Sequence, residues 1–434
     1  MLYHAYQSYA DATTPMRLAA RAALGVSASV RGVATGALAE ISRRAEAGAA
    51  PRSLPYALDG ATTPNTMAFR RLHAALALIA ETRLTHKRPD FGIETVRVGN
   101  RDAIVTEEVA LDLPFGNLLK FDKDVDQRQP KVLVVAPLSG HFSTLLRNTV
   151  RTLLADHEVY ITDWKNARDV PMSAGRFGFD DYVSYLIRFL EAMGPHSHIV
   201  AVCQPCVQAL VATAVMSEQK HPATPLSMTL MAGPIDTRQR PTTVNELATE
   251  RSIDWFKANL LSTVPFRFKG AGRLVYPGFV QLLSFMSMNL ERHRKSHEDL
   301  YNHIANGDQV KAKVIRDFYD EYFAVLDLTA EFYIETVEKV FQKAELATGA
   351  LTYHGAPVDP NKIRRTFLLT VEGGRDDICA VGQTAAAHDL CGALPPHLRR
   401  HHLQANVGHY GVFSGRKWEG QIYPTVRNVI LSME

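Results

Sequence analysis

The segment His198-Ile-Val-Ala-Val-Cys203-Gln-Pro-Cys206 puts a thiol where a short apolar run meets a turn, and a helical pattern begins at Val207. A strand that runs sharply into a helix exposes one side chain at its apex, flanked two residues away on each side by small groups, which is the geometry of a nucleophile elbow. With Cys203 at the apex the flanks are Ala201 and Pro205; with Cys206 they are Gln204 and Gln208, both too large. Cys203 is therefore the candidate nucleophile, and a helix N-terminus beneath it favours the thiolate. Pro205 stands where such turns usually carry glycine, and it lacks an N–H. Competing readings of the same residues are an ordinary buried thiol and a Cys203-Gln-Pro-Cys206 dithiol. A zinc site would need two further ligands, and Cys379 and Cys391 lack the tight spacing for it.

Chain order then points to partners, because in this elbow architecture the acid comes after the nucleophile and the histidine after the acid. Val371-Glu-Gly-Gly-Arg-Asp376-Asp377-Ile378 lies after a late strand pattern and offers an orienting carboxylate, with Asp376 and Asp377 inseparable by spacing. Asn406-Val-Gly-His409-Tyr-Gly411 lies after the last strand, which lifts His409 above His397, His401 and His402 as general base. The turn Ala136-Pro-Leu138-Ser139-Gly-His141 ends the first strand of the series. It is expected to supply one oxyanion donor, the N–H of Leu138 or Ser139, with the N–H of Gln204 as the other. His141 reads either as a lining residue or as part of the next helix's N-terminus.

The elements that must position these groups are legible in outline. Lys131–Ala136, Glu158–Thr162, His198–Val202 and Leu226–Met231 are short apolar runs alternating with helical patterns, which implies a parallel sheet. A hairpin is expected ahead of them, Glu94–Val98 and Ala103–Ala110 joined across Gly99-Asn100. Residues 236–355 break the alternation with long aromatic-rich helical patterns, notably Ile315–Gln342. The sheet then resumes at Arg365–Val371 and Arg400–Gln404, with a final helix around Tyr423–Leu431. A sheet interrupted by helices and resumed is the layout of an α/β-hydrolase with a lid. The expected divisions are an N-terminal helical extension over 1–90, core over 91–235, lid over 236–355 and core again over 356–434.

Composition removes other classes. The 434 residues carry 48 Lys plus Arg against 45 Asp plus Glu, a net charge of +3, which gives no electrostatic case for nucleic-acid binding. Four cysteines are too few for a disulfide scaffold, and the first residues lack a secretory pattern, so a reducing cytoplasm is expected. Leu274–Leu290 falls short of spanning length and is broken early by Pro277 and Gly278, so it reads as a buried or surface-binding helix, not a transmembrane segment.

Several segments resemble the intracellular polyhydroxyalkanoate (poly-3-hydroxybutyrate) depolymerases. They are Val134-Val-Ala-Pro-Leu-Ser-Gly-His-Phe142, Val159-Tyr-Ile-Thr-Asp-Trp-Lys-Asn-Ala-Arg-Asp-Val-Pro171, Ala201-Val-Cys-Gln-Pro205, Leu230-Met-Ala-Gly-Pro-Ile-Asp236 and Gly374-Arg-Asp-Asp-Ile378. The resemblance implies Cys203 as nucleophile, selects Asp376 over Asp377, and is matched at the histidine by Gly408-His409-Tyr-Gly411. The related polymer synthases place their Cys in Gly-x-Cys-x-Gly, so Ala201 and Pro205 favour a depolymerase. The resemblance further implies an ester hydrolase that forms a thioester acyl-enzyme on storage-granule polyester, with no bound cofactor. Coenzyme A remains open as acyl acceptor, as does a homodimer. Tyr276, Phe279, Phe285, Met286 and Met288, together with Phe266 and Phe268, are read either as a lid face that seats on polymer or as the lid's own core. The rival activities are acyl transfer to coenzyme A, polymer synthesis, and granule binding without turnover.

Overall fold

A computed structural model describes residues 3, 6, 13–24, 64–81, 84–125, 128–288 and 290–434. They fall into two compact units, residues 86–281 with 324–434, and residues 282–323 with the described part of 1–85. This division departs from the expected one. Residues 236–281 and 324–355 belong to the unit that holds the sheet, and only 282–323 group with the N-terminal helices.

The larger unit is built on nine strands: β1 (Thr95–Val98), β2 (Arg101–Leu113), β3 (Gly116–Lys123), β4 (Lys131–Val135), β5 (Glu158–Trp164), β6 (Ser197–Val202), β7 (Ser227–Met231), β8 (Phe367–Gly373) and β9 (Arg399–Gln404). Their spatial order is β1-β2-β3-β5-β4-β6-β7-β8-β9. The first three strands pair antiparallel, as does β3 with β5, and every pair from β5 onward is parallel. The expected β1–β2 hairpin is present, with Gly99 at φ +57° in its turn. Strand β3, absent from the sequence reading, joins the hairpin to the parallel sheet.

Strands β6 and β7 are buried along their whole length, so they read as unbroken apolar runs rather than as alternation. The period of two is still visible in which core each residue enters. Leu133, Val135, Ile199 and Ala201 join one hydrophobic core with Tyr182, Leu186 and Leu210. Val132, Val134, Val200 and Val202 join the other, with Val150, Leu153, Val426 and Ile430. Helices Phe179–Met193 and Cys206–Glu218 therefore cover one face, and Arg147–Leu154 and Tyr423–Leu431 the other. This is the α/β-hydrolase fold.

The expected helical run Ile315–Gln342 is interrupted. The helix Gln309–Tyr322 ends, Leu328–Thr329 pairs with Val275–Tyr276 as a short strand, and helix resumes at Ala330–Thr336. The interruption has a polar cause: buried Asp327 accepts the N–H of Gly278, and its own N–H donates to Asn166 Oδ1. Leu274–Leu290 divides likewise into the strand Leu274–Tyr276 and the helix Gly278–Met288. Among the described residues no helix is long and apolar enough to cross a membrane.

In the smaller unit, the helices Pro64–Glu81, Leu290–Asn306 and Gln309–Tyr322 pack around Ala74, Ala77, Leu300, Ile304 and Ala312.

Candidate active site

Strand β6 ends at Val202, and Cys203 turns the chain with φ +67°, a left-handed conformation costly for a residue with a Cβ. Two backbone bonds hold it there: Cys203 N–H donates to Met231 O at 2.8 Å, and Cys203 O accepts from Cys206 N–H at 3.1 Å. The helix Cys206–Glu218 begins at once, so Cys203 stands at its N-terminus. The turn is tight because Gly233 lies beneath it. A Cβ there would collide with the Cys206 side chain and come within 2.9 Å of Cys203 O. Cys203 is partly exposed, whereas Cys206, Cys379 and Cys391 are buried and all four are free thiols. Cys206 donates its thiol to Ala201 O at 3.4 Å, and burial pushes its pKa well above the usual thiol value.

Downstream loops bring two more groups to the same place. Strand β8 ends in Gly373, and Asp376 lies in the next turn, where its Oδ1 accepts the N–H groups of Ile378 and Cys379, each at 2.9 Å. Strand β9 leads into the short 3-10 turn His409–Val412. His409 Nδ1 lies 2.8 Å from Asp376 Oδ2, and both side chains are almost wholly buried. Burial opposes a charge on His409, but electrostatic interaction with Cys203 and Asp376 and the hydrogen bond to Asp376 outweigh it, so the imidazole is held above the ordinary histidine range. His409 and Asp376 thus form a hydrogen-bonded pair, and Cys203 acts electrostatically on the same imidazole. Asp377 is exposed and takes no part in it.

The Ala136–His141 turn is pinned from several sides. Ala136 O accepts from Trp164 Nε1 at 2.9 Å and from Tyr182 OH at 3.0 Å, while Ala136 N–H donates to Thr162 Oγ1 at 2.9 Å. Gly140 O accepts from Leu326 N–H at 2.9 Å, and His141 forms a β-bridge with Val325. His141 is therefore a buried strand-like residue and not the start of the next helix. Among the described residues, the backbone N–H groups of Leu138, Ser139 and Gln204 donate to no other group. Gln204 is buried, and its side-chain amide likewise has no partner.

The apolar candidates divide. Tyr276 is core, stacked on Tyr333 with ring centroids 3.8 Å apart, and Phe279 is core as well. Both take the structural option over the docking one, because the breaks at Pro277 and Thr329 fold their segment back onto the sheet unit. Met286 lines an open cavity of about 820 Å³ within the helical unit, beside Leu290, His293 and His297. The side chains of Phe285 and Met288 lie outside the described residues.

Residues 232–434 match the family model described as PHB de-polymerase C-terminus. Over those residues the chain is similar to the PHB depolymerases, on an α/β-hydrolase fold. The match covers the strands and loops that carry Asp376 and His409. Solved structures similar to this hydrolase include a monoacylglycerol lipase of Paleococcus ferrophilus, 11% identical over 71% of this chain and 97% of the other, with a TM-score of 0.42. The 2-hydroxy-6-oxo-6-phenylhexa-2,4-dienoate hydrolase of Rhodococcus sp. strain RHA1 is 11% identical over 76% and 98%, with a TM-score of 0.39. No curated protein matches the chain. Its chemistry is that of a carboxylic ester hydrolase.

The sequence reading missed what supports the site. Buried Glu372, at the end of β8, accepts the N–H groups of Gly382, Thr384 and Ala385 at 2.8–3.0 Å. Thr384 Oγ1 in turn accepts from Gly233 N–H at 2.8 Å and donates to Gly233 O at 3.0 Å. A carboxylate in the last turns of an apolar strand is the one sequence signal that pointed to this brace.

Proposed function

We propose that this hydrolase cleaves the ester bonds of amorphous poly-3-hydroxybutyrate and acts in the cytoplasm at the surface of storage granules. His409 takes the proton of Cys203, and the sulfur attacks an ester carbonyl carbon. The carbonyl oxygen becomes an oxyanion facing the N–H of Gln204 and that of Leu138 or Ser139. As the intermediate collapses, the C–O bond breaks, the alkoxide leaves with the proton from His409, and a Cys203 thioester remains. Water, deprotonated by His409, then attacks the thioester, and 3-hydroxybutyrate or a short oligomer departs as Cys203 recovers its proton. Asp376 holds the imidazole in the tautomer that accepts at Nε2.

The observation that supports this reading best is the 2.8 Å Asp376–His409 pair with Cys203 acting on the same imidazole, the thiol standing on a left-handed elbow at a helix start. The segments shared with the depolymerase family supply the substrate class. The acceptor is tested by analysing products from amorphous polymer with and without coenzyme A. Free 3-hydroxybutyrate or oligomers without coenzyme A are expected. Product only when coenzyme A is present, as the acyl thioester, would replace hydrolysis by thiolysis.

A further inference from the structure

Of the aromatic residues read from the sequence as either docking face or lid core, one stands apart. Phe266 is 98% exposed, while Tyr276 and Phe279 are core. It sits on the loop between the short antiparallel strands Ser262–Thr263 and Leu274–Tyr276. That loop is braced from within: Val264 N–H donates to Arg273 O at 2.9 Å, Gly272 N–H to Val264 O at 3.0 Å, and Phe268 N–H to Pro265 O at 3.2 Å. It is also fastened to the sheet unit. Gly270 N–H donates to Arg168 O at 2.8 Å, with no room there for a Cβ. Buried Arg273 donates to Gly175 O and Pro171 O, both at 2.8 Å. The Phe268 ring carries the guanidinium groups of Arg168 and Arg267 over it, 4.5 and 4.8 Å from its centroid. The neighbouring aromatic is thus engaged, and Phe266 is presented to solvent on a backbone that needs no further ordering.

The surroundings of Phe266 specify a partner chemistry. Arg267 follows it directly and Lys269 comes two residues after that; both are exposed, and residues 264–273 contain no carboxylate. Met172 and Leu274, 52% and 46% exposed, belong to the two segments that Arg273 ties together. The loop offers apolar surface and cationic donors. An amorphous aliphatic polyester offers methyl and methylene groups with ester carbonyl acceptors and almost no donors. Carboxylates on the loop would find nothing to bind there, and none is present. The chain beyond Leu274–Tyr276 leads directly to Gly278 and Gln281, and Gln281 packs on Gly140 in the turn that carries Leu138 and Ser139.

We infer that Phe266, with Arg267 and Lys269 beside it, is an anchor that seats this enzyme on the surface of amorphous polyester. The inference rests on the function proposed above and names the element that makes contact with the solid substrate. Burying a phenyl ring that is otherwise in water sets the expected size of the effect.

The test measures partition of the full-length chain onto amorphous poly-3-hydroxybutyrate granules by co-sedimentation, in a Cys203→Ala background so that polymer is not consumed. Phe266→Ser is expected to weaken partition about 10- to 100-fold, and Phe266→Trp to retain it. Val310→Ser removes a comparably exposed side chain (78%) of the helical unit and is expected to leave partition unchanged. Thermal unfolding midpoints check that Phe266→Ser remains folded. Equal partition of Phe266→Ser and its parent overturns the anchor, and so does a Val310→Ser loss as large as that of Phe266→Ser. Phe266-dependent binding to anionic phospholipid vesicles that exceeds binding to polyester overturns the polyester assignment. Failure of the proposed function looks different: the wild-type chain then releases nothing from the granules, whatever Phe266 does.

Discussion

Asp376 divides its carboxylate between two tasks: Oδ2 stands 2.8 Å from His409 Nδ1, while Oδ1 accepts the N–H groups of Ile378 and Cys379 at 2.9 Å each. The second task determines what an amide would do here. In Asp376→Asn the remaining oxygen is needed by the two backbone donors, so the NH2 group faces His409 Nδ1. Nδ1 must then accept, the ring proton moves to Nε2, and the imidazole can no longer take the proton of Cys203. The expected loss of ester turnover is about a thousand- to ten-thousand-fold, with an unchanged unfolding midpoint. Steady-state kinetics on a soluble ester check it; a loss below tenfold would contradict the assigned tautomer.

Thiol reactivity separates the four cysteines. Cys206 and Cys379 are buried with pKa values pushed well above the usual thiol range, and burial pushes Cys391 up to about 12. Only Cys203 combines partial exposure with an imidazole partner. Brief iodoacetamide treatment of the native protein is expected to add one carbamidomethyl group, at Cys203, and four after denaturation. Mass spectrometry of the digested protein locates them.

The raised pKa of His409 carries a pH dependence. The folded protein binds the imidazole proton more tightly than the unfolded chain, whose value is about 6.5. The resulting stability is complete below that pH and declines as pH rises through the folded-state value. The difference in unfolding midpoint between wild type and His409→Gln is therefore expected to shrink as pH is raised. Cys203→Ala removes one of the two groups that raise it, so NMR titration should find the His409 pKa lower than in wild type.

Gly233 limits the space under the elbow. Gly233→Ala forces a methyl group against Cys206 and the Cys203 carbonyl, while Thr384 holds the Gly233 backbone on both sides. Overpacking of this kind costs about 2 kcal/mol. Here it also shifts the thiol, so chemical denaturation should show lost stability, and turnover should fall even where the protein remains folded.

The elbow was legible in the sequence because its parts are local: an apolar run, a thiol with small flanks, and a helical pattern. His409 was legible from its place after the last strand. Spacing alone narrowed the carboxylate that meets His409 to an adjacent pair, and only the family resemblance chose Asp376. What separates them is burial of Asp376 against its own backbone donors and exposure of Asp377. Tyr276 and Phe279 stayed open between docking face and core because periodicity reveals an apolar side without revealing what covers it. The break at Asp327 arises from a long-range bond to Gly278, and the grouping of 282–323 with the N-terminal helices is a tertiary choice, so neither has a local signature.

The most direct measurement compares wild type, Cys203→Ala and Cys206→Ala on amorphous poly-3-hydroxybutyrate granules without coenzyme A, tracking turbidity and soluble 3-hydroxybutyrate together. Clearing and product release are expected from wild type, with abolition in Cys203→Ala and retention in folded Cys206→Ala. Clearing that survives Cys203→Ala would contradict the assignment of Cys203 as nucleophile.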